Sequence, residues 1–422
     1  MAQLLRRRAS VASLSASLSA ILAIPSTVIP RTAAAAAPTP IRLVRFDSAA
    51  AFDAGTHDGA LTAGETLTLA SGATYGAWTS PLVEPGFLFG RLVPSWNALT
   101  PGSSFVQVEV QVRLTTQSGD AGEAAPWYAL GTWTEDDTSL TRTSVRGQAD
   151  AVARVDTDTL VARAAPFAAF ALRVTLRRAS PTDPTPSVQL VSGVVSSPAG
   201  AETFSPHPPN TQRTFSPIEL SVPSYSQELH ARHFPQWAGG GEAWCSPAST
   251  EMVVEYWGHR PTDSQLAWIP TGHPDPTVDY AARATYDAAY RGTGNWPFNT
   301  AYAARYGLRA FVTQLRSLAE AEQFLRAGIP LVASIRAAPR ELTGFPLSQG
   351  TNGHLLVIAG IDAGGNPIVH DPAAPTNATV RRTYDRAQFQ RSWLRGSGGT
   401  VYVIHPPDMP LPGLPADVTA NW

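Results

Sequence analysis

The sequence feature that most constrains the fold is a strict alternation of apolar and polar residues at 105–114, which reads FVQVEVQVRL. Such alternation puts one face of a β-strand in a core and the other towards solvent. Short apolar segments separated by clusters of Gly, Pro, Ser and Asp predict further strands at 127–133, 152–155, 168–176 and 187–195. No helical period occurs among them. The stretch 41–197 is therefore predicted to be an all-β, jelly-roll-like sandwich.

A different pattern follows the proline-rich segment 198–217, which predicts a stiff linker. Ser246 is a good N-cap for a helix that runs to Tyr256 and is closed by Gly258. The periodicity then predicts helices at 278–290, 298–306 and 317–328, and strands at 308–315, 331–335, 354–361, 367–370 and 400–404. The sequence therefore predicts a second, α+β domain at 218–405 and a Pro-rich tail at 406–422.

The first residues, 1–37, have the pattern of a secretory signal peptide. Three arginines at 6–8 precede an uncharged apolar stretch at 11–24, and small residues follow at 33–37. We expect export by this segment, and the arginine run leaves the twin-arginine route open. No later stretch has the 18 or more apolar residues of a membrane-spanning helix, so no membrane span is expected.

The sequence contains no lysine, since all 31 basic residues are arginine. Mechanisms that need a lysine, such as Schiff bases and phosphate-loop chemistry, are therefore excluded. Residues 1–37 carry four arginines and no acid, so the remainder has 27 arginines against 33 acids, a net charge of −6. A mildly acidic chain without lysine is a poor candidate for binding nucleic acid.

The single cysteine, Cys245, is the first candidate for chemistry. It cannot form an internal disulfide, and a lone thiol in an exported protein is open to oxidation. One interpretation is a buried, inert cysteine that packs as a small apolar residue. The other is a nucleophile, because Cys245 lies just before the predicted helix, where backbone N–H groups favour the thiolate. The glycines at 239–241 would let the backbone approach a substrate closely.

A proton partner for this thiol is predicted on a β-hairpin. His354 opens the apolar segment HLLVIAGID, and Asp371 follows the segment PIVH. A turn at 362–366 would bring the two residues near each other across the hairpin, with a one-residue offset absorbed by a bulge. A carboxylate in this place can orient the imidazole and stabilise the imidazolium.

Four segments carry a family resemblance: VPSYSQ at 222–227, AWCSPASTEMVVEYWG at 243–258, NGHLLVIAGI at 352–361 and IVHDP at 368–372. Together they resemble a papain-like cysteine peptidase of the bacteriocin-processing type (cysteine peptidase family thirty-nine), in its free-standing secreted branch. The resemblance implies Cys245 as nucleophile, His354 as general base and acid, Asp371 as the residue that orients His354, and Gln227 as an oxyanion-hole donor. It also implies a helical half carrying the cysteine and a sheet half carrying His354 and Asp371.

The sequence departs from that family pattern at two places. Ser246 follows the cysteine where the family usually has glycine, and the insertion HARHFPQWAGGGEAW separates Gln227 from Cys245. Gln236 inside this insertion is therefore a rival for the oxyanion role. Gln227 is favoured because it ends a strand-like segment, whereas a flexible glycine-rich loop holds a donor poorly.

The sequence thus predicts a secreted cysteine peptidase, or amide hydrolase, that needs no cofactor and acts on peptide or protein substrates. Two alternatives are acyl transfer to an amine by a transglutaminase-like reaction on the same scaffold, and a non-catalytic module that binds a cell-wall polymer or glycan. Tryptophans that could face a sugar or fill the sandwich core are Trp78, Trp96, Trp127 and Trp133. Four more could line a substrate groove or pack in a core: Trp237, Trp244, Trp257 and Trp296.

The remaining polar residues receive structural interpretations. His370 alternates with Asp371 to the other face of its strand and is expected to be structural. His230 and His233 are spaced as two metal ligands, but without a third ligand in the sequence they are expected to be solvated, and no metal is predicted. Carboxylates expected at the surface are Glu255, Asp275 and Asp279.

Overall fold

A computed structural model describes residues 40–115, 121–197, 216–415 and 418–422. The predicted signal peptide and nearly all of the predicted linker lie outside these residues, so both stay predictions. From Ala37 to Trp422 the chain forms one compact unit. Among the described residues, no helix combines the length and apolar character needed to cross a membrane.

The first half of this unit is a sandwich of two antiparallel sheets, and the helix α1 (Ala49–Asp53) is the one helix among its described residues. Its strands are β1 (Ile41–Phe46), β2 (Thr56–Asp58), β3 (Ala60–Ala63), β4 (Thr66–Leu69), β5 (Tyr75–Thr79), β6 (Arg91–Leu99), β7 (Phe105–Thr115), β8 (Ala121–Ala124), β9 (Tyr128–Trp133), β10 (Ala153–Asp156), β11 (Thr159–Ala162), β12 (Phe167–Arg177) and β13 (Ser187–Ser196). One sheet has the order β10-β11-β6-β13-β4-β3, with β1 also on β13. The other has the order β2-β5-β12-β7-β8, with β9 also on β7.

The alternation in β7 has the predicted structural effect. Its four valines, at 106, 108, 110 and 112, are fully buried, while the polar residues between them are half-buried. One face of the strand therefore fills the space between the sheets, as period-two patterning requires. The prediction of an all-β sandwich is confirmed.

The second half is an α+β domain, as predicted. Its helices are α2 (Cys245–Tyr256), α3 (Asp263–Leu266), α4 (Pro276–Thr285), α5 (Trp296–Ala304), α6 (Leu318–Arg326), α7 (Asn377–Val380) and α8 (Arg386–Ser397). Its strands are β14 (Ile218–Glu219), β15 (Arg309–Gln314), β16 (Leu331–Ala337), β17 (Thr351–Ile361), β18 (Pro367–His370), β19 (Arg381–Thr383) and β20 (Thr400–His405). They form one sheet of order β15-β20-β16-β17-β18-β19, with β14 on β17. Helix α2 packs against β17, so the cysteine and the histidine lie on facing elements.

The start of α2 differs from the prediction. The helix begins at Cys245, with Trp244 as its N-cap residue, and no side chain caps it. Ser246 lies inside the first turn and its hydroxyl hydrogen-bonds the Tyr402 hydroxyl at 2.9 Å, so it is not the N-cap. The N-cap position thus lies two residues earlier than predicted, which puts the thiol itself on the first helical turn.

The two halves share buried contacts. Phe298 of α5 enters the sandwich core, where its ring centroid lies 6.0 Å from that of Trp96 and 5.7 Å from that of Trp133. Asn97 of β6 donates to the carbonyl of Ala310 at 2.6 Å and accepts from the N–H of the same residue at 3.1 Å. Buried aromatic and paired polar contacts of this kind tie the stability of one half to the other.

Truncation of Phe298 to alanine is therefore expected to destabilise both halves together. Loss of a fully buried phenylalanine ring costs about 3–5 kcal/mol of unfolding free energy. Chemical denaturation, followed by tryptophan fluorescence and circular dichroism, should show one transition at a lower midpoint. The exposed Leu88 supplies the control, since Leu88→Ala should change the unfolding free energy by no more than about 0.5 kcal/mol. Two separate transitions, of which only one responds to Phe298→Ala, would contradict this coupling.

Candidate active site

Cys245 occupies the first residue of α2 and is half-buried. The backbone N–H groups of a first helical turn have no partner within the helix and carry partial positive charge. The N–H of Leu355 on β17 also hydrogen-bonds the thiol. These groups favour the negatively charged form of the sulfur.

His354 and Asp371 lie together as the hairpin pattern predicts. His354 Nε2 is 2.7 Å from Asp371 Oδ1, and both side chains are almost completely buried. Val357 pairs with His370 in this hairpin, which makes Asp371 a diagonal neighbour of His354 on the same face. A register shift between Ile358 and Gly360 supplies the bulge. Because Nε2 faces Asp371, Nδ1 is the nitrogen available to the thiol.

Tyr384 is a further hydrogen-bond partner of Asp371, and the sequence motifs do not predict this contact. Its hydroxyl donates to Asp371 Oδ2 at 2.7 Å, while the N–H of Ala373 donates to Oδ1 at 3.1 Å. Burial and the neighbouring carboxylate raise the pKa of Tyr384, so its hydroxyl stays a donor. The carboxylate is thereby fixed in place for His354.

The pKa shifts of the three groups agree with one another. Burial disfavours a thiolate, but the hydrogen bond and charge of His354 outweigh it and lower the pKa of Cys245 below its ordinary value. Burial also disfavours an imidazolium, yet Asp371 and the thiol raise the pKa of His354 to about 10. For Asp371, burial is outweighed by the charge and hydrogen bond of His354, so its pKa is lowered. At neutral pH this arrangement favours thiolate, imidazolium and carboxylate together.

Gln227 lies in a short 3-10 turn, Gln227–His230, and is 2% exposed. Its side-chain Nε2 donates to the carbonyl of Glu242 at 2.9 Å and to the carboxylate of Glu228 at 3.2 Å. Its backbone N–H donates to the carbonyl of Pro372, the residue after Asp371, at 2.8 Å. The turn therefore connects the segment before Cys245 to the segment after Asp371.

Gln236, the rival glutamine, lies in a different environment. Its side chain is exposed in the turn-rich insertion. No hydrogen bond of its side chain occurs among the described residues. A preorganised donor needs support from its surroundings, which Gln227 has and Gln236 lacks.

Gly241, the last of the three glycines before Cys245, packs closely against the turn that contains Gln227. A Cβ on Gly241 would lie 2.3 Å from the carbonyl oxygen of Gln227 and 2.4 Å from the carbonyl carbon of His230. Such separations are far inside van der Waals contact, and backbone cannot yield as a flexible side chain can. Only glycine fits at position 241 without displacing the turn.

We expect Gly241→Ala to displace Gln227 and to lower kcat while leaving the thiolate in place. The expected loss is at most that of one oxyanion donor, roughly 10²–10³-fold. Steady-state kinetics and the rate of Cys245 alkylation measure the two effects separately. Gly413→Ala is the matched control, because a Cβ there meets nothing within 4 Å. Unchanged kcat in a folded Gly241→Ala variant would contradict the role given to this contact.

A loop from the helical half links the site to the sandwich. The hydroxyl of Thr293 donates to the carbonyl of Ala243 at 3.1 Å, two residues before the cysteine. Asp158 of the sandwich accepts from the N–H of Trp296 at 2.8 Å, and the N–H of Ser144 donates to Asp287 at 2.9 Å. The sandwich therefore supports one wall of the site through this loop.

Known families match both halves of the chain. Residues 219–401 match the Peptidase_C39 like family, and residues 42–196 match the peptidase C39 N-terminal domain. The second half contains a C39-like peptidase domain. The match to this family indicates a cysteine peptidase, and a peptidase family implies a peptide or protein substrate. The C39-like domain thus has the α+β fold expected from the sequence resemblance.

Solved structures give weaker similarities. A candidate C39-like peptidase from Bacillus anthracis is 17% identical, with 45% of this chain and 98% of that chain covered and a TM-score of 0.29. A carbohydrate-binding module of the β-sandwich superfamily is 11% identical, with 35% and 54% covered and a TM-score of 0.17. The Gap123 glycosylation-associated complex from Streptococcus agalactiae is 5% identical, with 38% and 26% covered and a TM-score of 0.17. No curated protein matches the chain.

The structure shows the environments of His370 and of the tryptophans that the sequence analysis names. His370 Nδ1 donates to the carbonyl of Pro223 at 2.8 Å, which fits the structural interpretation. In the sandwich, Trp78, Trp96 and Trp133 are fully buried, so they cannot stack on a sugar, while Trp127 is half-buried beneath Arg173. In the C39-like domain Trp244 is fully buried, and the half-buried residues are Trp237, Trp257 and Trp296.

The prediction that three carboxylates lie at the surface is wrong. Asp279 is fully buried on α4, and Glu255 and Asp275 are half-buried. Glu255 accepts from the hydroxyls of Tyr225 and Thr277, and Asp275 accepts from the side-chain amide of Asn377. Their partners come from distant parts of the chain, so spacing in the sequence could not reveal them.

Proposed function

We propose that this chain hydrolyses peptide bonds through Cys245, with His354 as the acid and base and Asp371 as the residue that orients it. The observation that carries the proposal is the continuous connection of thiol, imidazole and buried carboxylate between α2 and the β17–β18 hairpin. The opposite pKa shifts of Cys245 and His354 support it, because a nucleophilic cysteine needs a nearby cation.

In the first half-reaction, the Cys245 thiolate attacks the carbonyl carbon of the scissile amide and forms a C–S bond. The carbonyl electron pair moves to oxygen and gives a tetrahedral oxyanion. The His354 imidazolium transfers its proton to the leaving nitrogen as the C–N bond breaks. The amine departs and a thioester with Cys245 is left.

In the second half-reaction, neutral His354 removes a proton from water, and the resulting hydroxide attacks the thioester carbon. The C–S bond breaks, the carboxylic acid leaves, and the thiolate–imidazolium pair is restored. Asp371 keeps its charge throughout and stabilises the imidazolium by its 2.7 Å hydrogen bond.

The oxyanion donors proposed here are the backbone N–H of Cys245 and the side-chain amide of Gln227. One Gln227 hydrogen is held by the Glu242 carbonyl, which fixes the amide plane. The other meets the Glu228 carboxylate at 3.2 Å, and a substrate oxyanion would replace that carboxylate as its acceptor.

We further propose that the protein is exported by residues 1–37 and acts outside the cytoplasm. Support comes from the charge and hydropathy pattern of that segment. A lone catalytic thiol also explains why an exported chain keeps one unpaired cysteine, since conversion to a disulfide would remove the nucleophile.

The test uses purified protein without residues 1–37, incubated with a peptide library and analysed by mass spectrometry. Cleaved peptides with new carboxyl termini, absent with Cys245→Ala, are the expected result. A second arm adds a primary amine, because acyl transfer would give amide products in its place. Amide formation without hydrolysis would replace the proposal with the acyltransferase alternative. No product in either arm would contradict both.

A further inference from the structure

The insertion between Gln227 and Cys245 contains two histidines that peptide hydrolysis does not use. His230 closes the 3-10 turn that begins at Gln227, and His233 follows in the next turn. Their Nδ1 atoms each lie 3.2 Å from the same oxygen, Oδ1 of Asp279 on α4. The side-chain donor atoms of these three residues all lie within 4.8 Å of one another.

A third histidine meets the other oxygen of this carboxylate. His273, in the loop before α4, has its Nδ1 3.3 Å from Asp279 Oδ2. Its ring stacks on that of His233 with centroids 3.7 Å apart. Three imidazoles from separate turns thus contact one carboxylate. The residues are too far apart in the sequence for their spacing to predict this cluster.

The charge of Asp279 needs a counterion. Its side chain is fully buried, as is that of His230, so the expectation that His230 is solvated is wrong. Within the described ranges, every hydrogen-bond partner of this carboxylate is a histidine, and no arginine forms an ion pair with it. A buried carboxylate without a cation is costly, whereas a coordinated metal ion supplies the missing positive charge.

The separations fit tetrahedral coordination of a zinc-like ion. Zinc binds imidazole nitrogen and carboxylate oxygen at about 2.0–2.1 Å, so ligand atoms at tetrahedral angles lie about 3.3–3.4 Å apart. The 3.2 Å separations of His230 Nδ1 and His233 Nδ1 from Asp279 Oδ1 are close to this value. A donor set rich in imidazole favours zinc over calcium or magnesium, which take oxygen ligands.

We propose that His230, His233 and Asp279 bind a divalent cation of the zinc class, while His273 packs beside the site against the other oxygen of Asp279. These three ligands come from the insertion and from α4, so the proposed role of the site is structural. The metal links the insertion to α4, because its histidine ligands lie in the insertion and Asp279 lies on α4. Because His230 and Gln227 belong to one turn, it also holds the proposed oxyanion donor in place. This last effect rests on the proposed function, whereas metal binding does not.

The binding experiment uses the full-length Cys245→Ala protein, in which the catalytic thiol cannot capture the metal. The protein is treated with a chelator and then titrated with Zn²⁺ alone, or with Co²⁺ alone for its visible absorption. We expect one equivalent to bind, with a tetrahedral cobalt spectrum and a higher Tm, since a ligand of the folded state stabilises it. Absence of stoichiometric binding would overturn the proposal and leave three imidazole N–H groups donating to Asp279.

Ligand variants locate the site. In the Cys245→Ala background, His233→Ala and Asp279→Ala should each weaken zinc affinity at least about 100-fold, given that even outer partners of a metal are worth 10–100-fold. The exposed His259 is the matched control, and His259→Ala should bind as the parent does. Should Asp279→Ala fail to fold, the half-buried His233 still gives an answer. Binding that survives His233→Ala would exclude this site.

The effect on turnover is measured separately, with the wild-type thiol. Chelation should lower kcat and leave the Cys245 alkylation rate unchanged, because the metal positions Gln227 and not the thiolate. His233→Ala should reproduce this loss and make the enzyme insensitive to chelator. Stoichiometric binding with unchanged kcat would keep the metal site and overturn its link to Gln227.

Discussion

Replacing Cys245 with alanine is expected to reduce kcat for peptide hydrolysis on the order of 10⁶-fold, the loss typical of removing the nucleophile of a catalytic triad. Without the sulfur no thioester can form, so the reaction loses its covalent path. The substitution removes one atom from a half-buried position and should leave the fold intact. Thermal unfolding and circular dichroism of the variant check this directly.

Residual activity decides how this result is interpreted. A folded Cys245→Ala protein with more than about 1% of the wild-type rate would assign hydrolysis to another group. His354→Ala should lose a comparable amount, since residues that act as one unit each cost nearly the full effect. A loss with Cys245→Ala but not with His354→Ala would separate the thiol from the imidazole and contradict the proposed pair.

Replacement of Gln227 by alanine is expected to lower kcat roughly 10²–10³-fold, with little change in the rate of Cys245 alkylation. The amide stabilises charge that develops on the substrate oxygen, whereas the thiolate is stabilised by His354. Steady-state kinetics with a fluorogenic peptide, together with iodoacetamide labelling, measure the two quantities on the same preparation.

Gln236→Ala is the matched control, because the same side chain is removed from an exposed part of the same segment. It should act weakly and mainly on KM. The reverse ranking, in which Gln236→Ala abolishes turnover and Gln227→Ala is silent, would make the glycine-rich insertion the source of the oxyanion donor.

Local patterns in the sequence predicted those parts of the fold that depend on neighbouring residues. The alternation in β7 and the turn between β17 and β18 depend on short-range chemistry, and both structures form where the sequence places them. The proximity of His354 and Asp371 follows from that hairpin alone. The functional roles of these residues stay predictions that the experiments above address.

Strand β6 shows how a local rule can mislead. Proline removes a backbone donor and is disfavoured within central strands. Pro94 nevertheless lies in β6, which pairs with β13 along its whole length. On the other side, β11 pairs only with Arg91 and Leu92, so it ends before Pro94. The position of the missing N–H of Pro94 therefore faces no strand on this side of β6. This depends on the length of β11, which is distant from β6 in the sequence.

Contacts between distant segments were beyond prediction for a similar reason. Tyr384 lies 13 residues from Asp371, and Asp279 lies 49 residues from His230. Neither separation corresponds to a helix or hairpin period. The burial of Phe298 against the sandwich tryptophans also depends on tertiary packing. The proline-rich segment between the halves predicts a linker and gives no sign of this contact.

The most direct test of the central claim is the rate of iodoacetamide alkylation of Cys245 as a function of pH. A lowered thiol pKa raises the thiolate fraction at neutral pH, so the midpoint of the wild-type profile should lie below the value of about 8.5 for an unperturbed cysteine. In His354→Ala the stabilising charge is lost and burial persists, so the midpoint should rise to that value or above it. A wild-type midpoint at about 8.5 or higher, unchanged by His354→Ala, would contradict the thiolate–imidazolium pair.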